Sequence, residues 1–160
     1  MVRSLRLALP TFLFLTFGLQ SGLAACLTTL APNPPFMPPE PYRATVSAGT
    51  FWYGSNALWT LLPINGTWRL ARSDKGFAQK VWWWREGYNN RTEQKPRLIL
   101  TGRRLDGEAP SIAVAEATNA YEASLGSAML IGVVIPTEGC WELTGHYGGR
   151  TLSFVVLVEP

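Results

Sequence analysis

The sequence predicts an all-β sandwich, and three observations carry that expectation. Short runs rich in β-branched and aromatic residues recur from Thr45 to Val158. Clusters of Gly, Pro, Asn and Ser separate those runs at turn spacing. Almost no stretch carries the apolar period of a helix. The chain has 160 residues, 47% apolar and 16% charged, which is the composition of one packed domain and not of a disordered segment. A domain the length of Tyr42–Pro160 buries roughly 65% of its unfolded surface, enough to build a core without metals or disulfides.

The strands follow in order. Thr45–Trp52 and Ala57–Leu62 are β-rich runs on either side of Gly54-Ser55-Asn56. Pro63-Ile64-Asn65-Gly66 is a turn signal, because Asn-Gly tolerates positive φ. Thr67–Leu70 reads as a strand, Ser73-Asp74-Lys75-Gly76 as a turn, and Phe77–Arg85 as a long strand carrying Trp82-Trp83-Trp84. Glu86–Pro96 is polar and interrupted by Gly87, Asn89, Asn90 and Pro96, which predicts a loop. Arg97–Arg104 alternates as a strand before the Asp106-Gly107 turn. Ser111–Ala123 is ambiguous: five alanines favour helix by propensity, yet Ile112-Ala113-Val114 suits a short strand followed by a loop. Ala128–Ile135, Cys140–Tyr147 and Thr151–Val158 complete the set, the last two joined by Gly148-Gly149 as a hairpin. Leu152–Val158 is apolar on both faces, which suits a sheet covered on each side. About seven to eight strands are expected.

Before the sandwich, residues 1–25 have the three parts of an export signal. Arg3 and Arg6 are the positive start, Leu7–Leu19 is an apolar run too short for a span of about 20 residues, and small residues follow. Leu23-Ala24-Ala25-Cys26 resembles the lipobox of bacterial lipoproteins. That resemblance implies a diacylglyceryl group on Cys26, a membrane partner through that anchor, and a place in the bacterial cell envelope, at the outer membrane if the cell is Gram-negative. Plain secretory cleavage after Ala25 is the alternative, and the protein is then secreted. Residues 26–41 hold Pro32, Pro34, Pro35, Pro38, Pro39 and Pro41, and read as a semi-rigid linker of roughly 30 Å. The expected organisation is therefore signal peptide 1–25, lipidated linker 26–41 and sandwich 42–160.

The net charge of +3 falls to +1 once Arg3 and Arg6 are set aside, which gives no general reason to bind nucleic acid. Ten cations fall between Arg69 and Arg104, and six acids with no cation between Asp106 and Glu142. The fold either separates these charges into two sides or interleaves and cancels them.

No catalytic constellation stands out. His146 is the sole histidine, and with Cys26 and Cys140 it falls short of a metal site, so neither metal nor cofactor is expected. Glu138 and Glu142 would stand about 13 Å apart on a strand, beyond the roughly 5–9.5 Å of glycoside hydrolysis. Cys140 is either a buried thiol or, if Cys26 carries no lipid, its disulfide partner.

The sharpest binding candidate is the tryptophan run. Trp82 and Trp84 share one face of a strand and Trp83 the other, so the three cannot all enter one core. The candidate surface is Trp82, Trp83 and Trp84 with Arg85, Tyr88, Asn89, Asn90 and Arg91 of the next loop, a platform for sugar rings or a protein partner. Core filling is the competing reading.

Pro136–Tyr147, with Gly139-Cys140-Trp141 at the head of a strand, and Leu152–Val158 after it resemble the C-terminal hairpin of immunoglobulin-like domains in exported bacterial proteins. Phe51-Trp52-Tyr53-Gly54 and Gly102–Gly107 fit the same group. The resemblance implies an immunoglobulin-like fold and brings no activity. The sequence therefore leads to a non-catalytic, lipid-anchored binding or structural module whose partner is an envelope polymer or protein. A small glycan hydrolase and a ligand-free subunit of an envelope complex are the alternatives.

Overall fold

The computed structural model describes residues 25–43 and 46–160. Apart from Ala25, the stretch read as a signal peptide lies outside the described residues. Eleven strands and no helix are found among those described. They are β1 (Thr50–Ser55), β2 (Leu58–Pro63), β3 (Thr67–Arg69), β4 (Arg72–Ser73), β5 (Gly76–Trp84) and β6 (Ile99–Arg104). There follow β7 (Ala113–Val114), β8 (Thr118–Glu122), β9 (Gly126–Ile135), β10 (Gly139–Tyr147) and β11 (Arg150–Glu159).

Two sheets result. One runs β1-β2-β5-β9-β7, with β4 beside β5 and β8 beside β9; the other runs β3-β11-β10-β6. The pairings are antiparallel except that of β3 with β11, where Leu157 faces Thr67. Between the sheets, alternate residues meet: Phe77, Val81 and Trp83 of β5, Met129, Ile131 and Ile135 of β9, Trp141 and Leu143 of β10, Phe154 and Val158 of β11. All are buried, and each such side chain contributes about 1.5–3 kcal/mol relative to exposure. Gly148 and Gly149 both hold positive φ, 55° and 73°, which lets a two-residue turn join β10 to β11.

The alanine-rich stretch is strand, not helix. Ala113 pairs with Val134 in β7, and Thr118–Glu122 pairs with Gly126–Leu130 in β8. Alanine's propensity is a weak preference, and the free edge of β9 outweighs it by supplying a hydrogen-bonding partner to each segment.

The proline-rich stretch also departs from expectation. It does not project from the sandwich as a spacer; it lies along it as a strap. Cys26 is bonded to Cys140, with a Cα–Cα separation of 5.4 Å. Thr29 donates its N–H to the Val155 carbonyl at 2.9 Å and accepts the Val155 N–H on its hydroxyl at 2.8 Å. Gly66 accepts from Leu157 at 2.9 Å. Together they close the edge of β11 that the short β3 leaves open, where unpaired backbone would invite another strand. Farther on, Pro38 and Tyr42 are buried, and the rings of Phe36 and Tyr42 lie 6.1 and 5.3 Å from Trp59. Apart from the Cys26–Cys140 pairing, the sequence offers no sign of this, because the strap's partners are 17 to 126 residues away.

Candidate functional site

The expected tryptophan platform divides between two cores. Trp83 points between the sheets and is fully buried, its ring 5.9 Å from Phe154. Gly145 on β10 faces it, and a Cβ there would stand 2.6–2.8 Å from ring carbons of Trp83. Trp84 points to the outer face, also fully buried, in a second cluster with Tyr42, Trp52, Trp59 and Ala128. Trp82 stacks beside it at 6.0 Å and is half-buried. The alternation read from the sequence is present, but Trp83 and Trp84 are core side chains, and the folded chain offers neither to a ligand. Phe36 and Tyr42 of the strap cover this part of the outer face.

The loop after β5 is different. It begins with Arg85 and carries Asn89 and Arg91 into solvent, while Tyr88 turns inward. Three tyrosines hold it. Tyr88 donates its hydroxyl to the Glu93 carbonyl at 2.8 Å, and Tyr147 of β10 donates to the Glu93 carboxylate. Tyr42 of the strap donates to the Tyr88 carbonyl at 3.1 Å. Burial pushes the Tyr88 phenol up to about 12, with the Glu93 charge adding to it. Burial and then the hydrogen bond to Glu93 raise Tyr147 well above its ordinary value. Both phenols therefore stay protonated as donors across the physiological range.

Asparagines fix the tip. The Asn89 side chain accepts the Arg91 N–H at 2.9 Å, and its carbonyl accepts from Thr92 and Glu93. Asn90 accepts from Asn119 at 2.7 Å and from Ser127 at 2.8 Å, which ties the loop to β8 and β9. At its base, Glu86 donates its N–H to the Asn56 carbonyl at 3.0 Å, bringing in the β1–β2 turn. Arg85 lies 5.7 Å above the Tyr147 ring, and a shallow groove runs from Asn56 past Arg85 and Glu86 to Gly148 and Arg150.

Charge sets this end apart. The basic and acidic halves of the sequence interleave elsewhere: Arg103 pairs with Glu142 and Arg104 with Asp106, each at 2.6 Å. Among the described residues, Arg85, Arg91, Lys95, Arg97 and Arg150 have no carboxylate within ion-pair distance. Five of the eight cations left unpaired among the described residues thus gather where β5 and β10 end and β6 and β11 begin, while Arg72, Lys75 and Lys80 lie on β4, before β5 and along it. Sequence reading found Arg85 and Arg91 but missed Arg150, 65 residues beyond Arg85.

The remaining candidates are simply placed. His146 is exposed on β10 and hydrogen-bonds Thr151 at 3.1 Å. No group of three or more His, Cys, Asp or Glu side chains is placed to hold a metal among the described residues. Cys26 has its sulfur in the disulfide; a diacylglyceryl thioether needs that same sulfur. Lipidation and this bond are therefore alternatives, and the structure contains the bond. No family model, curated protein or solved structure matches this chain.

Proposed function

We propose that the protein is an exported, non-catalytic binding module of immunoglobulin-like topology, whose working surface is the cationic loop end and whose partner is an anionic polymer. The observation that carries this reading is the fixed loop from Arg85 to Arg97. Its backbone is held by Tyr88, Asn89 and Asn90 and its Glu93 side chain by Tyr147, and its arginines have no carboxylate within ion-pair distance. A preordered surface loses little entropy on binding, and unpaired guanidiniums suit carboxylate, sulfate or phosphate groups. The cations are spread over two connections, Arg85–Arg97 and Arg150, which suits a chain of charges better than one small anion. Support for the immunoglobulin-like topology comes from the parallel β3–β11 contact beside an antiparallel β11-β10-β6 run, facing β5-β9. Support for export comes from the disulfide, which persists in oxidising compartments.

Retention on immobilised polyphosphate tests the reading. The wild-type protein should be retained at low salt and released as ionic strength rises, and Arg85→Ala/Arg91→Ala/Arg150→Ala should pass through. Salt-independent retention, or a triple variant retained like the wild type, would refute it. A second reading, a subunit of a larger complex, rests on the apolar groove that Ala78, Ala113, Ala115, Gly132 and Val134 line on the outer face of the larger sheet. It predicts a co-purifying protein lost when Ala115 is replaced by Asp.

A further inference from the structure

We infer, resting on the anionic-polymer reading above, that the groove beside Arg85 takes a sugar ring, so that the polymer is an acidic polysaccharide and not a polyphosphate. Asn56, Ala57, Arg85, Glu86, Gly148 and Arg150 line this groove, whose volume is about 510 Å³. That is room enough for a small ring. Two of the lining residues are cations, yet one is an acid and one an amide. A surface for bare phosphate chains has no use for the last two.

Arg85 is held ready. Its Nε donates to the Glu86 carbonyl at 3.2 Å, and its guanidinium lies 5.7 Å from the centre of the Tyr147 ring. Gly148 leaves space for it, because a Cβ there would stand 3.1 Å from Nη1, tighter than ordinary contact. Among the described residues, no carboxylate lies within ion-pair distance of the guanidinium. One N–H is thus spent on backbone, and the two Nη groups remain for an oxyanion. Arg150, exposed just beyond the Gly148-Gly149 turn, supplies a second charge.

Glu86 follows Arg85 in the chain and lines the same groove, but the two side chains do not pair. Glu86 and Asn56 are both exposed, and their backbones are joined by the N–H of Glu86 on the Asn56 carbonyl at 3.0 Å. The groove therefore offers acceptors beside its donors. A polyphosphate brings oxygens only: they accept from Arg85 and Arg150, have nothing to donate to Glu86 or Asn56, and repel the Glu86 charge. A uronate ring carries a carboxylate beside hydroxyls. The carboxylate suits the arginines, and the hydroxyls donate to the Asn56 side-chain oxygen and, with charge assistance, to Glu86.

The test titrates the disulfide-bonded protein, at one low ionic strength, with polygalacturonate and with polyphosphate of equal charge. The wild type should bind polygalacturonate about tenfold more tightly. Glu86→Ala should move the two affinities in opposite directions, about tenfold weaker for polygalacturonate and about threefold tighter for polyphosphate, from which a like charge has been removed. Asn56→Ala changes no charge and should weaken polygalacturonate alone. A preference that survives Glu86→Ala, or a Glu86→Ala protein that binds both polymers more tightly, would overturn the sugar-ring assignment and leave the anionic-polymer reading standing. Equal binding of the two polymers by the wild type would do the same. Failure of the wild type to bind either polymer would overturn the anionic-polymer reading itself, and the sugar-ring assignment with it.

Discussion

Gly145→Ala is the substitution that tests the central packing most sharply. The added methyl would sit 2.6 and 2.8 Å from Cζ3 and Cζ2 of Trp83, and nearer still to Cη2, where ordinary contact begins near 3.4 Å. Neither side can yield cheaply. Trp83 is fully buried against Phe154, and Gly145 lies mid-strand, opposite Leu152 on one side and Leu100 on the other. Overpacking of this kind costs about 3 kcal/mol, at the upper end of the usual range. Trp83→Phe should cost much less than the loss of a whole aromatic ring. It removes the crowded ring carbons, and it also removes an indole N–H that has no partner among the described residues, a buried donor costing about 1–3 kcal/mol. The double variant should therefore be more stable than Gly145→Ala alone, with a coupling of about 1.5 kcal/mol or more. Urea unfolding of the four proteins measures it. Additivity to within about 0.5 kcal/mol would mean that Trp83 does not face Gly145, and the assignment of Trp83 to the core would fall with it.

Three further outcomes follow from the same structure. Removing the disulfide in Cys26→Ser/Cys140→Ser frees a closure spanning 114 residues, which loop entropy values at about 5 kcal/mol, and thermal unfolding should show a loss of about 2–5 kcal/mol. Tyr88, Tyr147 and Tyr42 all titrate above their ordinary 10.0, so the folded state resists deprotonation that the unfolded chain accepts; stability should hold below pH 10.0 and decline as pH rises through about 12, with tyrosinate absorbance appearing late. The Asp106 carboxyl is held below its ordinary 3.8, first by Arg104 and with help from the Cys140 N–H. Its contribution should be complete above that value and vanish as pH falls through the lowered one, and Asp106→Asn should flatten this acid limb of a denaturation series.

What the sequence made legible was what depends on near neighbours. The Trp82–Trp84 alternation, the Gly148-Gly149 hairpin and the two-faced apolar character of Leu152–Val158 are local patterns, and each is realised. Val155 and Leu157 turn outward, half-buried, on the side where the strap begins at Cys26 and Thr29. What escaped depends on distant partners. Six prolines suggest an extended spacer, and nothing near them shows that Phe36 and Tyr42 have tryptophans to cover. Five alanines suggest helix until β9 offers an edge. The loop beginning at Arg85 was found as polar sequence, but its rigidity comes from Tyr147, Asn119 and Ser127, which spacing cannot connect to it.

A strap fastened at Cys26 underlies both the hidden tryptophans and the closed edge of β11. Peptide mapping of the exported protein without reduction measures that fastening directly. The account predicts one cross-linked species joining the peptides of Cys26 and Cys140, separated by reductant. A diacylglyceryl thioether on Cys26, with Cys140 recovered as a free thiol, would contradict it.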